Sequence, residues 1–383
     1  MGAEKKSLMY SRLQIARKYI RYYLTAKNGK GHGVHSPFVY DFIRNVLNDR
    51  RRPAVWGRIE SLRARLLKDD TWLEVEDMGA GSSVAKGRRR QVKEIARHAA
   101  KPAKLGQLLF RIADYYQFRR IVELGTSLGI STAYLASGGK AAIAGGEKRG
   151  PDWTERGEAI TGGEKRGTDR TERGEAIAGS GKSGPDWTER GEAIAGSEKR
   201  GPDRTERGKT IAGGGKHMPD RIGTGAIGPG QTDDGAMRDL QGQAGATLPA
   251  SVQVWTIEGA AEIAAVAIRN FQELDIVGVE LVVGNFDEKL NEVLDCARTV
   301  DLVFIDGNHR LEPTLRYFRQ IMERCAPGAI LIFDDVHWSE EMEKAWEEIQ
   351  RDPRVYMTID LFFIGLVVIR EEFKVKQHFT IRF

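Results

Sequence analysis

Two short stretches hold most of the side chains that could do chemistry. FIDGNHR sets Asp306 at the end of an apolar run with His309 close behind, and IFDDVHW sets Asp334 and Asp335 at the end of another, with His337 and Trp338 beyond. If the two runs are neighbouring strands of a parallel sheet, their acids meet at its carboxyl edge. Three carboxylates held together repel one another, and a divalent cation would relieve them through the all-oxygen ligation that suits Mg2+. Such an ion lowers the pKa of a bound hydroxyl, and a neutral His309 is a suitable base near pH 7. The plainer alternative is that Asp306 and Asp334 only cap strand ends and orient loops.

A third stretch, IVELGTSLGIS at 121–131, is the kind that binds a ligand. An apolar strand passes through Glu123, bends at Gly125 and Gly129, and enters a helix near Ile130. Glycine allows a tight turn and close approach of a ligand, and the N-terminus of the following helix offers free N–H groups. The spacing is G-x-x-x-G, which departs from the G-x-G-x-x-G dinucleotide fingerprint and argues against NAD. A second acid, Glu258, followed by Gly259, closes the run VWTIE. It stands 133 residues after Gly125, but removal of residues 138–250 leaves 20, close to the strand–helix–strand distance between a glycine turn and a ribose-binding acid.

These residues need a sheet to position them, and the pattern supplies one. Apolar runs at 121–124, 252–257, 279–283, 302–305 and 329–333 read as buried strands. Helical periodicity at 105–116, 130–136, 261–272, 286–296, 313–324 and 340–351 alternates with them. That alternation predicts an α/β fold with a doubly wound, mostly parallel sheet. Residues 355–369 and 378–383 read as an antiparallel hairpin on the sheet edge. Residues 1–104 read as a basic, mainly helical cap, with helices over 8–24 and 38–48.

The segment 138–250 does not fit that scheme. AIAGGEKRGPDWTERGE at 142–158 recurs with a period of 17, in copies beginning at Ala159, Ala176 and Ala193 and a decayed one at Thr210. So few apolar positions among so many glycines cannot offset the entropy of ordering, and the segment is expected to be a disordered insert dividing one domain into 105–137 and 251–383.

Over those two pieces the chain resembles the class I methyltransferases, and within them the catechol O-methyltransferase-like group with its E-x-G-T-x-x-G-x-S motif, met here by Glu123, Gly125, Thr126, Gly129 and Ser131. The resemblance implies a Rossmann-like fold that binds S-adenosyl-L-methionine. It places Glu123, Gly125, Thr126, Ser127 and Ser131 around the methionine part. Glu258 would stand at the ribose, Asn285 and Phe286 (after Gly284) at the adenine, and Gly129, Gly259 and Asp306 would also line the cofactor. It also implies Mg2+ on Asp306, Asp334 and Asp335, with Asp335 standing where Asn is common. His309 falls where the catechol-type enzymes have lysine, and the D-G-x-H pattern looks closer to sugar and antibiotic O-methyltransferases that use histidine as base. The expected reaction is methylation of a hydroxyl on a small molecule or sugar.

Composition leaves other readings open. Residues 1–120 carry 27 Lys/Arg against 11 Asp/Glu, and residues 251–383 carry 14 against 24. The basic part could read nucleic acid, or it could neutralise the acidic part within the molecule. No N-P-P-Y-like or Cys-nucleophile signature for base methylation is present, so nucleic acid is not the favoured partner. A non-catalytic cofactor-binding protein and a homodimer are further alternatives. No run suits a membrane span and no signal peptide is evident. The two cysteines, Cys296 and Cys325, fit a reducing compartment, and the cytoplasm is expected. A rival glycine turn, VEDMGAGSSV at 75–84, lacks a following strand with a terminal acid, and His32 and His35 in HGVHSPF read as a loop over the pocket.

Overall fold

The structure, a computed structural model, describes residues 9–27, 29–31, 34–75, 89–144 and 251–383. The expected insert therefore lies outside the described residues from 145 to 250, as do His32 and the DMGAGS turn. From the N-terminus come α1 (Arg12–Thr25), started by a capping box between Ser11 and Gln14, and α2 (Pro37–Phe42), which continues into a π-helical turn over Ile43–Leu47. Next are α3 (Ala54–Leu66), a ribbon of β1 (Trp72–Glu74) and β2 (Arg89–Gln91), α4 (Val92–Ala99) and α5 (Ala103–Tyr115).

The alternation then begins. β3 (Arg120–Leu124), α6 (Ile130–Ala144), β4 (Gln253–Glu258), α7 (Ala261–Glu273) and β5 (Val279–Val283) form one half. The other half holds α8 (Phe286–Ala297), β6 (Val300–Ile305), α9 (Leu311–Met322), β7 (Cys325–Asp334) and α10 (Glu340–Arg351). Ser339 caps α10, accepting from the Met342 N–H, and Glu340, Glu341 and Glu343 in its first turn suit the positive end of the helix dipole. β8 (Met357–Asp360), β9 (Ile364–Val368) and β10 (Gln377–Thr380) end the chain.

Eight strands make one sheet in the order β10-β8-β9-β7-β6-β3-β4-β5. Side chains alternate between its faces, as a strand requires. Ile121, Val254, Leu302 and Ile332 join a core with Phe42, Leu109 and Ile112 on one side; Val122, Ile257, Val303 and Phe333 join Leu294, Phe318 and Trp346 on the other. Each large apolar side chain so buried stabilises the fold by roughly 1.5–3 kcal/mol. A third cluster ties Ile59 and Leu62 of α3 and Ile95 of α4 to Ala133 and Tyr134 of α6 and Ile263 of α7. The N-terminal helices thus share the cores of the sheet domain.

Three expectations need correction. The C-terminal strands form one edge of the sheet as expected, but not as a simple hairpin: β9 lies antiparallel between β7 and β8, and β10 pairs parallel with β8 as the outermost strand. Helix α6 runs to Ala144, past the helix end expected at 136, and its Gly138 and Gly139 lie close against Phe110 of α5 and against Val252. The single helix expected over 38–48 is α2 followed by a π-helical turn. Some basic residues of the N-terminal part pair with acids of the C-terminal part: Lys18 with Glu343 at 2.9 Å, Arg58 with Asp275 at 2.8 Å, and Arg65 with Glu273.

Candidate active site

The chain leaves β3 toward β4 in one direction and returns to β6 on the other side of β3, which makes the carboxyl end of β3 the switch point where doubly wound sheets bind ligands. Backbone hydrogen bonds stitch the turn there to both neighbours. The N–H groups of Gly125 and Thr126 donate to the Ile257 carbonyl at 3.0 and 3.2 Å, and the Asp306 N–H donates to the Leu124 carbonyl at 2.9 Å. Gly125 has φ +101°, and a Cβ on it would stand 2.1 Å from the Asp306 carbonyl oxygen, so no other residue fits. Gly129, at φ +82°, meets the Phe271 ring in the same way at 2.5 Å.

Glu258, half-buried at the end of β4, closes the site. Its Oε2 accepts the Ser127 N–H at 2.8 Å and its Oε1 the Ala260 N–H at 3.0 Å. The 133-residue separation in sequence thus becomes contact through a backbone amide. Thr126 and Ser131 are buried, and the Thr126 hydroxyl lies 2.6 Å from that of Thr256. Thr256 in turn donates to Glu123 Oε2 at 2.7 Å, and Thr132 donates to the same oxygen. Glu123 is fully buried beneath the turn; burial pushes its carboxyl up to about 7, against the nearby hydroxyls of Ser131, Thr132 and Thr256 that favour its charge.

Asn285 caps α8, its Oδ1 accepting the Asp287 N–H at 3.0 Å. Phe286 lays its ring against Gly307, at the carboxyl end of β6, and meets Tyr317 edge-on at 6.0 Å. Both residues therefore stand beside the turn side of the sheet edge, next to Glu258 on β4.

The other half of the site follows β6 and β7. Asp306, His309 and Asp334 bring ligand atoms within 4.8 Å of one another, with His309 Nε2 3.6 Å from Asp306 Oδ1. Asp335 is not part of that group; at φ +54° it sends its N–H to the Phe363 carbonyl at 2.7 Å. A residue the motifs did not indicate completes the cluster. Lys101, on the link between α4 and α5, donates from Nζ to Asp306 Oδ1 at 2.9 Å and also to Asp334 Oδ2. Nothing in KPAK marks it: a lysine in a basic region carries no spacing signal.

The charges follow from this arrangement. Burial opposes ionisation of Asp306, yet Lys101 and His309 beside it hold its carboxyl at about 2. Asp334 is pushed up by burial and by the neighbouring Asp306 and Asp335, more than Lys101 pulls it down. Burial works against charge on His309 as well, but Asp306, Asp335 and Asp334 outweigh it and raise its pKa above 6.5. Lys101, ringed by carboxylates, stays an ammonium.

His337 and Trp338 are placed elsewhere. His337 sits between Asp360 Oδ2 at 2.8 Å and Glu343 Oε1 at 3.1 Å, stacked on Phe362, and Trp338 Nε1 donates to Met9 Sδ at 2.8 Å. They anchor the start of the chain against α10. His35 is exposed on the loop before α2.

Residues 236–336, which span β4 to the turn after β7 and so include Glu258, Asp306 and His309, match a family model described as a methyltransferase domain. Over those residues the chain is similar to a methyltransferase domain. The cofactor-bound structure of Rv0187 from MTB has a TM-score of 0.41 to it at 15% identity, covering 88% of this chain and 98% of its own. An O-methyltransferase from Bacillus cereus in complex with SAH has 0.39 at 14% identity, covering 86% and 97%. TomG, an O-methyltransferase from Streptomyces achromogenes involved in tomaymycin synthesis and solved with SAM, has 0.38 at 16%, covering 82% and 98%. Similarity at this level assigns the methyltransferase domain no substrate. No curated protein matches the chain. Among the described residues no helix is long and apolar enough to cross a membrane.

Proposed function

We propose that the chain moves the methyl group of S-adenosylmethionine to a hydroxyl oxygen of a small molecule, with His309 as the base. The observation that carries this reading is Glu258, fixed onto the glycine turn after β3, with the Asp306–His309 pair on the adjoining strand end. The residues present fit the cofactor. Glu258 offers carboxylate acceptors to a pair of ribose hydroxyls beside the glycine turn, and Phe286 offers an aromatic face. Gly125, Thr126, Ser127, Gly129, Ser131, Glu258, Gly259, Asn285, Phe286 and Asp306 would hold it, above the buried Glu123. When bound it supplies an electrophilic methyl group on a sulfonium.

The chain's own groups supply the rest. The sheet edge holds the acceptor in line for displacement, a neutral His309 imidazole takes the proton from the acceptor hydroxyl, and the anionic Asp306 stabilises the imidazolium that results. No step calls on a metal ion, because Asp306 and Asp334, which would hold one, already carry the Lys101 ammonium.

Calorimetric titration with S-adenosylhomocysteine, followed by methyl-transfer assays on a panel of sugar and phenol hydroxyls, tests the reading. Saturable binding and transfer to oxygen are expected. A chain that takes up no cofactor, or that methylates only nitrogen or carbon, is not the enzyme proposed.

A further inference from the structure

We infer that Lys101 is the resident counterion of the Asp306–Asp334 pair and takes the place that a divalent cation would otherwise fill. The inference concerns the same site as the proposed function and rests on it for the role of Asp306 and His309.

The argument is one of position and charge. A divalent ion would need the facing oxygens of Asp306 and Asp334 at roughly 2.0–2.6 Å. The ammonium of Lys101 already sits between those oxygens, hydrogen-bonded to both and 2.9 Å from Asp306 Oδ1. Two cations cannot occupy that gap, since their repulsion in a poorly solvated site is large. Nor can Lys101 swing away at little cost. Its side chain is 14% exposed, so withdrawal would strip it of both carboxylates at a buried position. The backbone around it is held as well, by Pro102 immediately after it and by α4, whose Val92, Ile95 and Ala96 are buried in one cluster with α3 residues.

The lysine does some of what a metal does and omits the rest. It neutralises the acids and holds Asp306 where it faces His309. An ammonium has three donors and no open coordination position, so it orients groups but does not bind and acidify an acceptor hydroxyl as a metal would. Proton removal is left to His309. Lys101 is therefore a positioning residue for Asp306.

Mn2+ is the probe, titrated by calorimetry and by the loss of its free paramagnetic resonance signal, on the full chain as wild type, Lys101→Met, Lys101→Arg and Lys101→Met/Asp306→Asn. The wild type and Lys101→Arg are expected to show no Asp306-dependent site. Lys101→Met removes the ammonium from between the two carboxylates and is expected to bind Mn2+ about tenfold or more tightly than the wild type, a gain that the added Asp306→Asn removes. Saturable Mn2+ uptake by the wild type that Asp306→Asn abolishes overturns the inference, as does a folded Lys101→Met chain with no gain. If Lys101→Met does not fold, titration of the wild type against a single Asp306→Asn variant, made alongside the panel, still decides. Binding of S-adenosylhomocysteine, measured on the same samples, separates a failure of the inference from a failure of the proposed function.

Discussion

Glu258 Oε2 accepts the backbone N–H of Ser127 at 2.8 Å, so the acid that ends β4 is locked to the turn that ends β3. The carboxylate is thereby oriented before any ligand arrives, which lowers the cost of fixing it on binding.

Glu258→Ala should weaken S-adenosylhomocysteine binding by roughly 10- to 150-fold, the range for hydrogen bonds to a charged group. It removes the ribose acceptor and leaves the Ser127 and Ala260 amides without their partner. Calorimetry measures it; affinity within twofold of wild type would remove Glu258 from the cofactor site.

Gly125→Ala forces a methyl group to within 2.1 Å of the Asp306 carbonyl oxygen at φ +101°. The β3 turn or the β6 end must then move, at a cost of several kcal/mol, and cofactor binding should be lost. Gly328→Ala, at φ +87° with open space around it, is the control and should bind normally. Equal thermal shifts in the two variants would mean that backbone strain, not contact with Asp306, sets the requirement for glycine.

His309→Gln should lower kcat by about 100- to 10,000-fold, the usual worth of a positioned base, with cofactor affinity little changed. The carboxylates raise the pKa of His309 above 6.5, so its proton-accepting form gains ground only as pH rises through that raised value. The wild-type rate should therefore climb with pH to a midpoint above 6.5, and the variant should lack the step. A wild-type rate that is flat across that range assigns the base elsewhere.

Glu123 gives a pH dependence of stability. Its folded pKa of about 7 lies above the ordinary 4.5, so its contribution is fully present below 4.5 and is lost as pH rises through 7. The loss approaches about 3 kcal/mol by linkage. Glu123→Gln keeps an uncharged partner for Thr132 and Thr256 and should remove that slope. Denaturant midpoints of the two proteins across pH 4–8 provide the comparison; parallel curves would mean that Glu123 is ionised throughout.

Much of the site was legible from strand ends. An apolar run followed by an acid marks the carboxyl edge of a buried strand, and Asp306, Asp334 and Glu258 all stand where that rule puts them. The turn at Gly125 was legible because positive φ and a close backbone contact leave glycine as the residue that fits. Lys101 was not. Its importance comes from contacts with residues more than 200 positions away, and no local pattern encodes such a contact. The place of β9 was equally hidden: the apolar pattern marks a buried strand without naming its neighbours, so the order in which the C-terminal strands build the sheet edge was not readable.

Residue order alone determined the parallel strands and alternating helices of the sheet domain, and where glycine must stand at its first turn, because these follow from local sterics and the periodicity of burial. Tertiary structure decided which charges meet. It set Glu258 on the Ser127 amide, turned His337 toward Glu343 and Asp360, and brought Lys101 between two aspartates. Electrostatic partners are chosen by distance in space, and that distance is settled only when the sheet and its helices have packed.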